Sequence, residues 1–200
     1  VFNKYLKKKQ STDFIINREK QAQWETDYDG RMMVDFITRH RDRPFFLYFA
    51  PHAVHSPSLE APPELTERTQ VPPGPRKYLA GAVVSVDDQV GRLLEALEKH
   101  GLREKTLIIF SSDNGANEDD GGSSTPYSGG KGEGTQKEGW VRVPTSYSLP
   151  GVIPGGKTYG GMTCSLDFYA TVAALTGLPA PTHMDGVDVI PFLKEAKTGD

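Results

Sequence analysis

The residues with the most obvious chemical potential are Asp113 and Asn114, which end the run Thr106-Leu-Ile-Ile-Phe-Ser-Ser-Asp-Asn-Gly115. A carboxylate and an amide carbonyl are hard oxygen donors, suited to Ca²⁺ or Mg²⁺ rather than to zinc or copper. Asp-Asn-Gly is also good turn chemistry, so the same residues read as a plain turn. His52 and His55 stand three apart in Phe49-Ala-Pro-His-Ala-Val-His-Ser-Pro57. A histidine there could act as a general acid or hydrogen-bond an anionic substrate. The alternative is a pair of loop histidines fixed by local hydrogen bonds. Lys131 lies in Ser128-Gly-Gly-Lys-Gly132. Glycine on both sides lets the backbone approach a ligand and leaves the ammonium to bind an oxyanion as a point charge. A solvated surface loop fits it as well, and the G-x-x-x-x-G-K-[ST] pattern of a P-loop is absent.

Positioning these groups falls to an alternation of helices and strands. Leu107 to Phe110 is uninterrupted apolar sequence, which predicts a strand buried on both faces of a parallel sheet. Phe45 to Ala50 predicts a second such strand, and in open α/β sheets ligands bind beyond the carboxyl ends of the strands. If the two are parallel, His52, His55, Asp113 and Asn114 share one rim. Trp24, Tyr28, Met32, Phe36 and Ile37 form a helical stripe over about residues 21–40, broken by Arg41-Asp-Arg-Pro44. Residues 77–100 predict the clearest helix, with Val83, Val86, Val90, Leu93, Leu94 and Leu97 on one face and Gly101 as its C-terminal cap. Residues 113–142 are rich in Gly and Ser, without periodicity. Val143 to Leu149 predicts a strand, Leu166 to Thr176 a helix capped by Gly177, and residues 185–193 a short helical or turn segment.

Composition narrows the function classes. The 200 residues carry a net charge of −3 and no basic stripe, so nucleic-acid binding has no support. Cys164 is the only cysteine, which rules out an internal disulfide and a Cys/His zinc site; it reads as a packing residue near a helix start. No apolar run approaches the ~18 residues of a membrane span.

Five ordered segments carry a resemblance: Phe45 to Pro57; Ser85-Val-Asp-Asp-Gln-Val-Gly-Arg-Leu-Leu94; Ser111-Ser-Asp-Asn-Gly115; Gly130-Lys131 with Glu138-Gly-Trp-Val-Arg-Val-Pro144; and Asp185-Gly-Val-Asp188. In order and spacing they resemble the sulfatase family. The resemblance implies an alkaline-phosphatase-like α/β fold, a largely parallel sheet flanked by helices, and hydrolysis of sulfate esters by a formylglycine-dependent, arylsulfatase-like site. It implies that Asp113 and Asn114 ligate Ca²⁺ (or Mg²⁺), that His55 rather than His52 is the active-site histidine, and that Lys131 contacts the sulfate. The implied substrate is a sulfated small molecule or saccharide, in a periplasmic, secreted or lysosomal setting.

The family's nucleophile is a formylglycine made from Cys or Ser in Cys/Ser-x-Pro/Ala-x-Arg, and Cys164, in Cys-Ser-Leu-Asp-Phe168, does not match it. The expectation is a single partial catalytic domain over residues 1–200, without the N-terminal nucleophile segment and the C-terminal small subdomain, and inactive alone. The missing part of its own domain would be its partner. A related metal-dependent phosphoesterase or phosphonate hydrolase, or a non-catalytic remnant, are the other readings.

Overall fold

The computed structural model describes residues 24–55, 61–132, 137–179 and 181–196. They fall into two compact units, one drawn from Val1–Ala96 and Ala116–Ser124, the other from Leu97–Gly115 and Thr125–Asp200.

In the first unit, helix α1 (Glu25–His40) has acidic residues in its first turn and basic ones in its last, as the helix dipole favours. Its buried positions are Thr26, Gly30, Met33 and Ile37. Of the stripe expected from Trp24, Tyr28, Met32, Phe36 and Ile37, Ile37 is fully buried, whereas Met32 is exposed and Thr26, Gly30 and Met33 are buried in place of the others. Helix α1 packs on helix α3 (Pro75–Lys99), which meets it through small and polar residues. Ala82, Ser85 and Gln89 are fully buried there, whereas Val83 is half exposed. Trp24 Nε1 donates to Ser85 Oγ at 2.7 Å. Gln89 Nε2 donates to Asp27 Oδ1 at 2.8 Å and to the Ser85 carbonyl at 3.1 Å, and Gln89 Oε1 accepts from Arg92. The buried amide is thus satisfied on both ends. Gly30 makes room for it, since a Cβ at that position would lie 1.8 Å from Gln89 Oε1. Helix α2 (Pro63–Thr66) packs on the same helix, with Ala61 and Thr66 against Gly81. Arg68 forms a bidentate pair with Asp88. The Ser85-to-Arg92 motif is accordingly explained by helix packing.

Phe45 to Ala50 does not form the expected strand among the described residues. Its side chains alternate between half-buried (Phe45, Leu47, Phe49) and exposed (Phe46, Tyr48, Ala50), the signature of extended backbone, but no ladder joins it. Phe46 and Tyr48 are 77% and 81% exposed.

In the second unit, the Gly101 cap is as expected, with φ +64° and the Leu102 N–H returning to the Leu97 carbonyl at 2.8 Å. A turn at Arg103–Lys105 leads into strand β1 (Ile108–Ser111). Its described partner is β2 (Thr145–Ser148), and the pairing is antiparallel, from Ile108 opposite Ser148 to Ser111 opposite Thr145. No parallel pair occurs among the described residues. Nor is β1 buried on both faces: Ile108, Ile109 and Ser111 are half-buried and Phe110 is 46% exposed. The polarity has a consequence: the segment after Ser111 leaves, and the segment before Thr145 returns, at the same end of the ribbon. Ser112 N–H donates to the Pro144 carbonyl there.

Helix α5 (Leu166–Thr176) has the bounds the sequence predicts, ended by Gly177 at φ +68°. Asp167 accepts the N–H groups of Cys164 (2.8 Å) and Val187 (2.9 Å), and Thr171 Oγ1 accepts that of Val189. Burial pushes the Asp167 carboxyl upward, but these donors outweigh it and hold it below its usual range. The Asp185-Gly-Val-Asp motif is thereby laced to α5, with Gly186 so close to the Leu166 carbonyl that a Cβ would stand 2.2 Å away. Helix α6 (Ile190–Lys194) follows. Cys164, expected to be packed, is exposed. No helix among the described residues is long and apolar enough to cross a membrane.

Candidate functional site

Asp113 and Asn114 are the second and third residues past β1, where the ribbon stops. The Asp113 side chain is exposed and Asn114 half-buried. The Ser112 hydroxyl donates to the Asn114 carbonyl at 2.8 Å, a local turn bond that fixes the pair's backbone. The turn expected from Asp-Asn-Gly is therefore present.

The Lys131 loop meets this turn through backbone. Gly115 N–H donates to the Trp140 carbonyl at 2.8 Å, and Gly139 N–H donates to the Ser128 carbonyl at 2.9 Å. Gly139 lies in the one-turn helix α4 (Glu138–Val141). Arg142 pairs with Glu138 Oε2 at 3.0 Å and lies over the Tyr127 ring at 4.2 Å, which ties that helix to the same loop. Gly130 is buried and Lys131 half-buried. Lys137 lays its stem over Gly129: a Cβ there would lie 2.4 Å from Lys137 Cδ. Its position is explained as packing. The structure thus brings the Asp113–Asn114 turn and the Lys131 turn together in one unit.

His55 belongs to the first unit. It follows the extended Phe45–Ala50 segment, is exposed, and stacks on His52 with ring centroids 5.6 Å apart. Its N–H donates to the His52 carbonyl at 2.9 Å, and His52 Nδ1 lies 3.8 Å from Glu25 Oε2.

The donor chemistry of Asp113 and Asn114 fits Ca²⁺ or Mg²⁺, but their number falls short of the roughly six oxygens such an ion takes. No group of three or more His, Cys, Asp or Glu able to hold a metal occurs among the described residues. The pair by itself supplies at most two of the ligand residues such an ion needs.

The sulfatase family model matches residues 2–178. The chain belongs to the sulfatase family. Sulfatase relatives include human arylsulfatase A, 36% identical over 89% of this chain and 35% of its own length. Mouse N-acetylgalactosamine-6-sulfatase is 33% identical over 94% of this chain and 36% of its own. Among solved structures, Ps i-CgsB in complex with k-i-k-neocarrahexaose is 37% identical, covers 84% of this chain and 38% of its own, and superposes with a TM-score of 0.80. This sulfatase chain therefore has the alkaline-phosphatase-like α/β fold of its structural relatives and spans about a third of the length of the curated relatives it matches.

What the sequence did not disclose is the part played by Gly115, Gly129 and Gly139. The only signal was their placement, two of them beside candidate site residues and one in Glu138-Gly-Trp140. Glycine in a Gly-rich loop looks like flexibility until the backbones it meets are known.

Proposed function

We propose that this chain supplies part of a sulfatase active site that hydrolyses sulfate esters, with Lys131, His55, Asp113 and Asn114 as its contribution. The observation that supports this most is the Gly139 junction, where Gly115, next to Asn114, bonds to Trp140 and Gly139 bonds to Ser128 in the loop leading to Lys131, in a chain of the sulfatase family. Lys131 binds a sulfate oxygen and neutralises charge that shifts onto it in the transition state. His55 gives a proton or hydrogen bond to the oxygen of the departing alcohol. Asp113 and Asn114 provide two of the oxygens of a divalent-cation site; when bound, such an ion further neutralises the sulfate oxygens.

The alternating burial of Phe45 to Ala50 supports its being a further strand of a larger sheet, which would carry His55 at its carboxyl end. Two relatives carry a saccharide in their names, which favours a sulfated saccharide as substrate.

None of the 200 residues forms the formylglycine signature, so the chain alone turns over no substrate. It does bind one. Titrating an aryl sulfate, with the phosphate analogue in parallel, tests this. Lys131→Ala should weaken sulfate-ester binding about tenfold or more, as loss of a charged hydrogen bond requires. Multiple turnovers by this chain, or binding indifferent to Lys131, would contradict the reading; clear preference for the phosphate ester would point to the phosphoesterase alternative.

A further inference from the structure

We propose that Gly139 is a positioning residue of this site: its backbone is the common wall that fixes the Asp113–Asn114 turn against the Gly129–Lys131 turn. This rests on the site reading above and adds what sets the relation between its donors and its cation. On one side, a Cβ at Gly115 would stand 1.7 Å from the Gly139 carbonyl oxygen and 2.8 Å from its carbon. On the other, a Cβ at Gly139 would stand 1.8 Å from the Gly129 oxygen and 2.7 Å from the Ser128 oxygen. Real Cβ atoms essentially never come within 3.0 Å of a neighbour.

Neither Gly115 nor Gly139 has a positive φ, so backbone conformation does not demand glycine at either position. Close approach does. The groups met are carbonyls, which cannot swing aside as a side-chain end can. Each contact also carries a hydrogen bond across it, Gly115 to Trp140 and Gly139 to Ser128. Asp113 and Asn114 immediately precede the first contact, and Lys131 follows the second by two residues. A methyl at position 139 must therefore push the Ser128–Gly129 strand of the loop away by more than an ångström, taking Lys131 with it. Misplacement on that scale is enough to cost about two orders of magnitude in a pre-organised site.

Amide exchange and titration with inorganic sulfate, both read by NMR on the 200-residue chain, test this. In the unaltered chain the Gly115 and Gly139 amides should exchange at matching rates, as members of one cooperative unit. Sulfate should move the Asn114 and Lys131 resonances along a single binding curve. In Gly139→Ala both Gly115 and residue 139 should lose at least about tenfold in protection while the β1–β2 amides keep theirs. The sulfate response of Asn114 and Lys131 should separate or weaken by about tenfold. Gly91→Ala, whose methyl meets nothing within 4 Å, should change neither.

Independent exchange of the two amides in the unaltered chain would overturn the proposal even if Gly139→Ala does not fold. So would a folded Gly139→Ala with unchanged exchange and sulfate response. Should sulfate move neither Asn114 nor Lys131 in the unaltered chain, the site reading fails, and the exchange rates still decide the junction.

Discussion

The Asp167 carboxylate accepts the Val187 N–H across twenty residues of chain, at 2.9 Å, while its other oxygen accepts the Cys164 N–H at the head of the same helix. One buried acid thus ties both the segment before α5 and the segment that enters α6 to this helix. Because its carboxyl is held below the usual range, its stabilisation is present at neutral pH, above the unfolded-state value. It is lost as pH falls through the lower, folded-state value. Asp167→Asn should cost roughly 1–3 kcal/mol at pH 7, the price of a charge-assisted bond and a poorly satisfied donor. It should also flatten the acid limb of stability against pH, measured by urea unfolding at a series of pH values.

A second test concerns the helix pair of the first unit. Gly30→Ala drives a methyl into the buried Gln89 side chain and should destabilise by about 1–3 kcal/mol. Adding Gln89→Ala removes the obstacle, so the double variant should be less destabilised than the sum of the single ones. Chemical denaturation of the four proteins in the cycle gives that coupling. Strict additivity would show that Gly30 and Gln89 do not meet.

Phe46 and Tyr48 make a third prediction. Both are highly exposed on an extended segment without a ladder partner among the described residues. Replacing both by Ser should change unfolding free energy by no more than about 0.5 kcal/mol per site, as at ordinary surface positions. It should also reduce concentration-dependent association in sedimentation, since exposed apolar strand surface invites pairing. A large loss of stability would mean these rings are packed.

How legible was this in the sequence? Helix α5 was, to the residue, because its composition and its Gly177 cap are local signals. The Gly101 cap was legible for the same reason. The packing face of α3 was legible only in part: apolar spacing selects Leu97, which is fully buried, but also Val83, which is exposed, and it misses the buried Ser85 and Gln89, whose polarity is met by hydrogen bonds that involve the partner helix and its N-terminal Trp24. Strand direction was equally hidden, since Leu107 to Phe110 has the same apolar run whether its neighbour is parallel or antiparallel. For the candidate site, the sequence offers the residue types at Asp113, Asn114, His55 and Lys131 but not the glycine contacts that join two of the loops, which have no periodicity to read.

The proposed sharing of one site by Asp113, Asn114 and Lys131 is best measured with Mn²⁺ as a paramagnetic stand-in for the hard cation, followed by NMR on the 200-residue chain. Even weak occupancy at Asp113 should broaden the Asn114 amide and the Lys131 side chain together, and Asp113→Ala should restore both. Sharp Lys131 lines beside a broadened Asn114, or broadening that survives Asp113→Ala, would contradict a single site.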